Sequence, residues 1–140
     1  MDFEQARNNM VEQQIRTWEV LDQNVLDAIS AIARDEFVPG AYRNLAYSDT
    51  SIPLGYGESM MTPKLEGRIV QSLNLTSNDR ILEIGTGSGY LTALLAHCGG
   101  QVVSIEVLAG LHDSAKTRLE SRAITNISLE QGDGLAGWKS

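Results

Sequence analysis

The chain has 140 residues, of which 42% are hydrophobic and 21% are charged, a composition typical of one globular domain. Its formal net charge of -7 argues against nucleic acid or an anionic membrane surface as a partner, because both are polyanionic. The single cysteine, Cys98, excludes an internal disulfide, and the sequence has neither a leader-like segment nor a run of 18 apolar residues. We therefore expect a cytoplasmic protein.

Two helices are predicted before residue 40. Asp2 and Gln5 have the spacing of a capping box, ahead of apolar residues with helical periodicity that extend to Trp18. A second helix is predicted to have Asp22 as its N-cap and to be ended by Pro39-Gly40. The apolar face of this second helix would consist of Val25, Leu26, Ile29, Ile32 and Ala33.

Residues 46–61 show neither helical nor strand periodicity and contain Pro53 and two glycines. The sequence therefore predicts a long shaped loop, and such loops are often functional. Thr62 and Pro63 then fit the N-cap and the first position of a third helix. The inward-facing residues of that helix would be Leu65, Ile69, Val70 and Leu73.

From residue 80 onward, segments typical of strands and helices alternate. The predicted strands are Arg80–Ile84, Gln101–Glu106 and Ile127–Gln131, and the predicted helices between them are Tyr90–His97 and Leu111–Arg122. This order predicts an α/β fold of the Rossmann-like type, with a parallel sheet, right-handed crossovers and an N-terminal helical cap. Residues 1–140 are expected to form a single domain, with helices and a loop over 1–61 and a ligand-binding β-α-β-α-β unit over 62–140.

A glycine-rich turn follows the first of these strands. Gly85, Gly87 and Gly89 occupy alternate positions, where glycines let the chain turn tightly and let a ligand approach the backbone closely. The dinucleotide fingerprint G-x-G-x-x-G/A would need a small residue at position 90, where Tyr90 stands. A nicotinamide dinucleotide is therefore disfavoured as the ligand.

Three acidic residues lie at the predicted carboxyl ends of the strands, where open α/β sheets bind ligands. Glu83 interrupts an apolar strand and needs a partner, either a ligand ammonium group or a basic side chain in a salt bridge. Glu106 suits the ribose hydroxyls of an adenosine, or is a solvated strand-end acid. Asp133 suits an adenine amino group, or is an ordinary Asp-Gly turn residue. Together they predict S-adenosylmethionine, which carries an ammonium group and an adenosine.

Other reactive side chains give weaker indications. His97 and His112 have no cysteine or acid at metal-ligand spacing, so no metal site is predicted. Cys98 is interpreted as a small core residue near a helix end. Ser59 lacks a histidine and acid set that could activate it, which argues against a hydrolase.

Six segments carry a resemblance to a known family: residues 10–16 (MVEQQIR), 35–39 (DEFVP), 46–49 (AYSD), 52–57 (IPLGYG), 82–90 (LEIGTGSGY) and 132–134 (GDG). On these segments the chain resembles the protein-L-isoaspartate O-methyltransferases nearly end to end. Many methyltransferases share the glycine-rich segment, whereas the earlier ones are specific to this family. The resemblance implies that S-adenosylmethionine donates a methyl group to the free carboxylate of isoaspartyl residues in damaged proteins, as a repair reaction.

The resemblance also implies roles for individual residues. The donor pocket would be lined by Glu58, Ser59, Met60 and Met61. The cofactor would be contacted by Gly85, Glu106, Asp133 and Gly134, in addition to Glu83, Gly87 and Gly89, which the turn itself indicates.

One departure from the family concerns the active-site loop. Relatives carry an active-site serine where, counting back from Pro63, this chain has Met61. A thioether donates no hydrogen bond, so Ser59 and Thr62 are the candidates to substitute for that serine. Because a carboxylate acceptor is already ionised at neutral pH, the change is expected to slow methyl transfer without abolishing it.

A second departure concerns length. Relatives continue past the region of Gly137 and Trp138 into further strands, one of which pairs with the first strand. We therefore expect a truncated domain that keeps the cofactor half of the cleft and exposes the edge of Arg80–Ile84, which could pair with another copy. The alternatives to an isoaspartyl methyltransferase are a methyltransferase with another acceptor and a non-catalytic paralogue that binds only the cofactor.

Overall fold

A computed structural model describes residues 1–134 of the chain. Its internal contacts divide the chain into two compact units, Met1–Leu75 and Thr76–Ser140. The expectation of one single domain stays a prediction. Within residues 1–134, none of the helices combines the length and the hydrophobicity needed to cross a membrane.

The first unit consists of short helices and one hairpin. Its α-helices are α1 (Phe3–Met10), α2 (Gln23–Ala31) and α3 (Pro63–Leu73). They are joined by a π-helical turn at Val11–Ile15 and by three 3-10 turns at Arg16–Trp18, Arg34–Phe37 and Gly40–Leu45. The hairpin pairs β1 (Pro53–Gly55) with β2 (Glu58–Ser59) in antiparallel register.

Side-chain capping is confirmed at two of the three predicted N-caps. The side chain of Asp2 accepts the backbone N–H of Gln5 at 3.0 Å, and that of Asp22 accepts the backbone N–H of Asn24 at 2.9 Å. The first cap lacks the reciprocal half of a capping box, because the Gln5 side chain donates to Asn9 Oδ1 instead. Both caps are local contacts, which explains why the sequence pattern predicts them well.

The predicted end of α2 was wrong. The helix ends at Ala31, well before Pro39, and its last residue is followed by an extended residue at 32, with φ -99° and ψ 119°. Ile32 and Ala33 are therefore half-buried residues outside the helix. The extended segment redirects the chain into the 3-10 turn that follows, whose Arg34 and Phe37 are fully buried.

The inward face predicted for α3 was also wrong in part. Leu65 and Leu73 are 43% and 49% exposed, and the buried residues of α3 are Pro63, Glu66, Gly67 and Val70. An added Cβ at Gly67 would lie 3.4 Å from side-chain atoms of Ile29 and Val20, so the missing side chain lets α3 approach these residues closely. The helix α3 packs on the helices before it and lies within the first compact unit, Met1–Leu75, while the division expected at residues 61 and 62 stays a prediction.

The predicted loop over residues 46–61 contains the short hairpin, which the sequence analysis did not anticipate. Tyr56 and Gly57 connect its strands with φ values of 57° and 75°, as hairpin turns with two left-handed residues require. Strands of three and two residues are too short to show an alternating pattern. The sequence therefore contains no periodic signal from which this hairpin could be predicted.

The second unit is a β-α-β-α-β unit. Its elements are β3 (Arg80–Ile84), α4 (Tyr90–Cys98), β4 (Gln101–Glu106), α5 (Ala109–Ser121) and β5 (Ile127–Gln131). The strands are parallel in the order β3-β4-β5. The bounds of all three strands match the prediction, and the Rossmann-like α/β fold is confirmed.

In the described part of the sheet, β3 lies at an edge and pairs with β4 alone, as predicted. The apolar side chains of Leu82 and Ile84 are 52% and 44% exposed, and Val107, after β4, is 59% exposed. Large apolar side chains in parallel strands are normally covered on both faces. This exposed strand is consistent with a sheet to which more structure can be added.

Candidate functional site

The glycine turn after β3 has a backbone that only glycine adopts easily. Gly85, Gly87 and Gly89 have φ values of 92°, 57° and 93°, in the left-handed region where a Cβ is strained. The N–H of Gly85 donates to the carbonyl of Ile105 at 2.8 Å, which fixes the start of the turn to the end of β4. A Cβ added to Gly85 would meet no atom within 4 Å, so the backbone of this residue faces open space that a ligand can enter.

The last glycine of the turn serves packing. Gly89 is the N-cap of α4, and an added Cβ would lie 3.3 Å from Cβ of Ala115 and 3.5 Å from Cδ1 of Leu119, both on α5. The glycines at the two ends of the turn therefore have different structural roles. Gly85 leaves room for a ligand, and Gly89 leaves room for a neighbouring helix.

Glu106, the last residue of β4, is hydrogen-bonded to the backbone of the glycine turn. Its Oε1 accepts the backbone N–H of Gly87 at 2.9 Å, and its Oε2 accepts that of Leu108 at 3.1 Å. The residue is 5% exposed, so the alternative of a solvated strand-end acid does not hold. A carboxylate has about four lone-pair positions, and these two bonds leave each oxygen able to accept another donor.

Glu83 is buried behind the turn. Its Oε1 accepts hydroxyl hydrogens from Thr92 at 2.5 Å and Ser104 at 2.6 Å, and its Oε2 is buried without a partner in the described part of the chain. The pKa of Glu83 is raised to about 7, mainly by burial and also by the charge of Glu106, although the hydrogen bonds from Ser104 and Thr92 lower it in part. The residue shows no salt bridge within residues 1–134, so the sequence-based alternative of a basic partner does not apply there.

A chain of hydroxyl groups connects Glu83 to the glycine turn. Oγ of Ser104 lies 2.6 Å from Oγ1 of Thr86, which stands between two of the glycines, and all four residues of the chain, including Thr92, are buried. The roles of Thr86, Thr92 and Ser104 were not predicted from the sequence. At Ser104 the sequence did contain a signal, because this polar residue interrupts an apolar strand. In the structure Ser104 lies opposite Glu83 in the parallel register.

Asp133 and Gly134 follow β5 at the same edge of the sheet. Gln131 pairs with Glu106, and the N–H of Gly132 donates to the Glu106 carbonyl at 2.9 Å. Asp133, two residues beyond Gln131, is therefore close in register to Glu106, and its side chain is exposed. Gly134 packs against Ile84, since an added Cβ would lie 2.7 Å from its Cδ1.

The structure thus places the three predicted acids at the carboxyl edge of one sheet, each in a different environment. Glu83 is buried under hydroxyl groups, Glu106 is fixed by two backbone N–H groups, and Asp133 faces solvent. The backbone of Gly85 faces open space, and the carboxylate oxygens retain lone pairs that can accept hydrogen bonds from hydroxyl or ammonium groups.

The predicted residues of the active-site loop lie in the first unit. Glu58 and Ser59 form β2 and are exposed, whereas Met60 is buried and donates its N–H to the Ile52 carbonyl at 2.8 Å. The Met61 carbonyl accepts Nη2 of Arg34 at 2.9 Å. Thr62 is the N-cap of α3, but its side chain makes no capping hydrogen bond. The catalytic and cofactor-binding roles assigned to these residues stay predictions.

The parallel β-α-β-α-β unit, with a glycine turn after its first strand and a buried acid ending its second, defines a Rossmann-like protein with the methyltransferase fold. The sequence model of the family described as protein-L-isoaspartate(D-aspartate) O-methyltransferase (PCMT) matches residues 5–140. The chain belongs to this family, as the motif resemblance implied.

Individual relatives agree with this assignment. The chain is 43% identical over 127 residues to a protein-L-isoaspartate O-methyltransferase of Serratia proteamaculans, covering 91% of this chain and 61% of that protein. A solved protein-L-isoaspartate O-methyltransferase superposes with a TM-score of 0.79 at 27% identity, covering 91% of this chain and 42% of the solved chain. The chain therefore spans less than two thirds of the length of these relatives.

The fold is also shared with a more distant solved structure. A Plasmodium falciparum protein, provisionally described as a protein-L-isoaspartate O-methyltransferase in complex with S-adenosyl-L-homocysteine, superposes with a TM-score of 0.68 at 16% identity. The alignment covers 92% of this chain and 62% of that one. At this level of identity the likeness concerns the fold alone.

Proposed function

We propose that this chain carries the cofactor-binding part of a methyltransferase that uses S-adenosylmethionine to methylate the free carboxylate of isoaspartyl residues in damaged proteins. Family membership over residues 5–140 supports the reaction class. The chain spans 61% of the Serratia relative. The activity, the acceptor and the partners of the whole protein are therefore proposed here as well.

The residues of the second unit fit the proposed cofactor. When bound, S-adenosylmethionine supplies an activated methyl group. The open backbone at Gly85 leaves space for a ligand, and the Glu106 carboxylate can accept two further hydrogen bonds. Among residues 1–134, no group donates to the buried Oε2 of Glu83. We assign the ribose hydroxyls to Glu106, the adenine amino group to Asp133 and the ammonium group to Glu83.

The proposed acceptor needs no general base from the protein. An ordinary carboxyl group with a pKa of roughly 4 is ionised at neutral pH, so the task of the chain is to hold the reacting groups in line and to exclude water. Met61 cannot donate a hydrogen bond to the acceptor. We infer that Ser59 or Thr62 supplies the missing donor, or that transfer proceeds more slowly without one.

The observation that carries the proposal is the buried Glu106 carboxylate held by the N–H groups of Gly87 and Leu108. Calorimetric titration of S-adenosylmethionine into the wild type and into Glu106→Gln tests it. Hydrogen bonds to a charged acceptor contribute about 1.5–3 kcal/mol each, so we expect binding about tenfold to hundredfold weaker in the variant. Glu130→Gln, an exposed acid on β5, is the matched control and should bind as the wild type does. Equal affinities for all three proteins would refute the cofactor assignment.

Met61 supports a second candidate, a family member that binds the cofactor but does not transfer the methyl group, or that uses another acceptor. Turnover on an isoaspartyl peptide, compared with its normal aspartyl counterpart, separates these readings. The repair enzyme should methylate only the isoaspartyl peptide, and Met61→Ser should then raise its rate. A non-catalytic protein should bind the cofactor and methylate neither peptide, with or without that substitution.

Two further expectations concern the surroundings of the protein. The exposed edge of β3, with Leu82 at 52% exposure, favours either completion of the sheet by more chain or pairing with another copy. The cytoplasmic location and the isoaspartyl-containing partners follow from the proposed repair function.

A further inference from the structure

Arg34 is a buried cation between two segments of backbone. Its side chain has no exposed surface. Nη1 donates to the carbonyl of Ala46 at 2.5 Å, and Nη2 donates to the carbonyl of Met61 at 2.9 Å. These two residues are the first and last of the loop 46–61. A single guanidinium group therefore holds both ends of that loop.

Glu66 makes the burial of this cation possible. Its Oε1 lies 3.1 Å from both Nε and Nη2 of Arg34, and the residue is 3% exposed. An unpaired charge inside a protein is very costly, so Arg34 can bond to the two carbonyls only while Glu66 neutralises it. Glu66 lies in the first turn of α3, which links the beginning of that helix to the loop.

The backbone between the two anchored ends is held from the other side as well. The N–H of Met60 donates to the carbonyl of Ile52, a fully buried residue, at 2.8 Å. The carbonyl of Thr62 accepts the N–H of Glu66 at 3.1 Å. Residues 59–62 therefore run between the hairpin, the Arg34 guanidinium and the first turn of α3.

We propose that Arg34 is a positioning residue, whose guanidinium sets the backbone of residues 59–62 by holding the carbonyls of Ala46 and Met61 at the same time. The planar fork of arginine directs its N–H groups to separate acceptors, whereas the ammonium group of lysine is a single point charge. The shape of the cation is therefore essential, in addition to its charge. The consequence for methyl transfer rests on the proposed function, but the conformation of the loop does not.

Two variants separate this positioning role from a purely structural ion pair. Arg34→Lys keeps the positive charge but cannot reach Glu66 and both carbonyls with the same geometry. The double variant Arg34→Met, Glu66→Leu removes both charges and fills their volume with apolar groups, a change that is often neutral or stabilising for a buried pair. Arg43→Lys is the matched control, because Arg43 is 52% exposed and pairs with Asp35 at 3.1 Å.

Hydrogen exchange at the Met60 amide reports directly on the loop. We expect exchange at Met60 to become about tenfold faster or more in both Arg34 variants, since each loses at least one hydrogen bond from a charged donor. Exchange at the Leu26 amide, which donates to the carbonyl of the N-cap Asp22 at the start of α2, should stay within about twofold in the double variant. Arg43→Lys should leave Met60 unchanged.

The double variant decides between the two roles. If Arg34 serves only as half of an ion pair, a well-folded double variant keeps the slow exchange of Met60, and this result would overturn the proposal. Faster exchange at Met60 in a double variant whose Leu26 amide remains protected supports it. A double variant that exchanges rapidly at both amides leaves the decision to Arg34→Lys, in which unchanged Met60 exchange again overturns the proposal.

If the wild-type protein transfers methyl groups, its turnover number gives a second readout. We expect Arg34→Lys to lower kcat about tenfold or more, with the affinity for S-adenosylmethionine within about twofold of the wild type. If the wild type, Glu106→Gln and Glu130→Gln bind S-adenosylmethionine equally, the cofactor assignment of the proposed function fails, while the Met60 exchange data still decide the role of Arg34. The two ideas can therefore fail separately.

Discussion

Ser104 donates its hydroxyl hydrogen to Glu83 across the parallel pair β3 and β4, at the register position where the two residues face each other. A hydroxyl group has one hydrogen, so Thr86, whose Oγ1 lies 2.6 Å from Oγ of Ser104, must be the donor in that second bond. The direction of the chain is thus from Thr86 through Ser104 to the Glu83 carboxylate. A buried acid thereby fixes the side chain of a residue inside the glycine turn.

Removing the middle of this chain should destabilise the protein. Ser104→Ala leaves Glu83 with one hydroxyl donor fewer and Thr86 without its acceptor, and we expect a loss of about 1–3 kcal/mol in the free energy of unfolding. Ser128→Ala, on the exposed face of β5, should change it by less than about 0.5 kcal/mol. Chemical denaturation measures both values, and equal stabilities of the two variants would contradict the hydroxyl chain.

The raised pKa of Glu83 predicts a dependence of stability on pH. The folded-state pKa of about 7 lies above the ordinary value of 4.5, so the contribution of Glu83 is fully present below about pH 4.5 and is lost as the pH rises through about 7. The difference in unfolding free energy between the wild type and Glu83→Gln should fall by an amount on the order of 3 kcal/mol between these limits.

This comparison isolates Glu83 from other carboxyl groups. Glu66, also with a pKa raised to about 7 by burial, is present in both proteins, so its contribution cancels in the difference. The charge of Glu106, which raises the pKa of Glu83, is likewise present in both proteins. A difference between the two proteins that stays constant from pH 4.5 to pH 8 would show that Glu83 is not perturbed.

Backbone strain at the glycine turn can be separated from steric overlap. A Cβ would meet no atom within 4 Å at Gly85 or at Gly40, but only Gly85 has a left-handed φ, of 92°. We expect Gly85→Ala to cost about 1–2 kcal/mol of stability and Gly40→Ala less than about 0.5 kcal/mol. Thermal and denaturant unfolding give the comparison. Similar losses at both positions would mean that φ at Gly85 is not the cause.

The corrected face of α3 makes a further prediction. Val70 is 1% exposed and Leu65 is 43% exposed, although the sequence pattern placed both in the core. Val70→Ala should cost about 2 kcal/mol because it removes two buried methyl groups and leaves a cavity. Leu65→Ala should cost less than about 1 kcal/mol. The reverse order of the two losses would restore the sequence-based assignment of this helix face.

Features that depend on residues close together along the chain could be predicted from the sequence. The N-caps at Asp2 and Asp22 bond to backbone groups two or three residues away, and the bounds of the three parallel strands agree with those predicted from the sequence. The positive φ values at Gly85 and Gly89 follow from a residue type that tolerates them. In each case the deciding physics is local, so a single sequence contains it.

The tertiary structure alone decided which polar groups meet inside the protein. Ser104 reaches Glu83 over 21 residues of sequence, and Arg34 reaches Glu66 over 32. The second pair makes Glu66 a buried residue of α3, whereas the hydrophobic pattern of that helix indicated Leu65 and Leu73. A buried charge is tolerated only beside its partner, and a partner distant in sequence leaves no periodic signal.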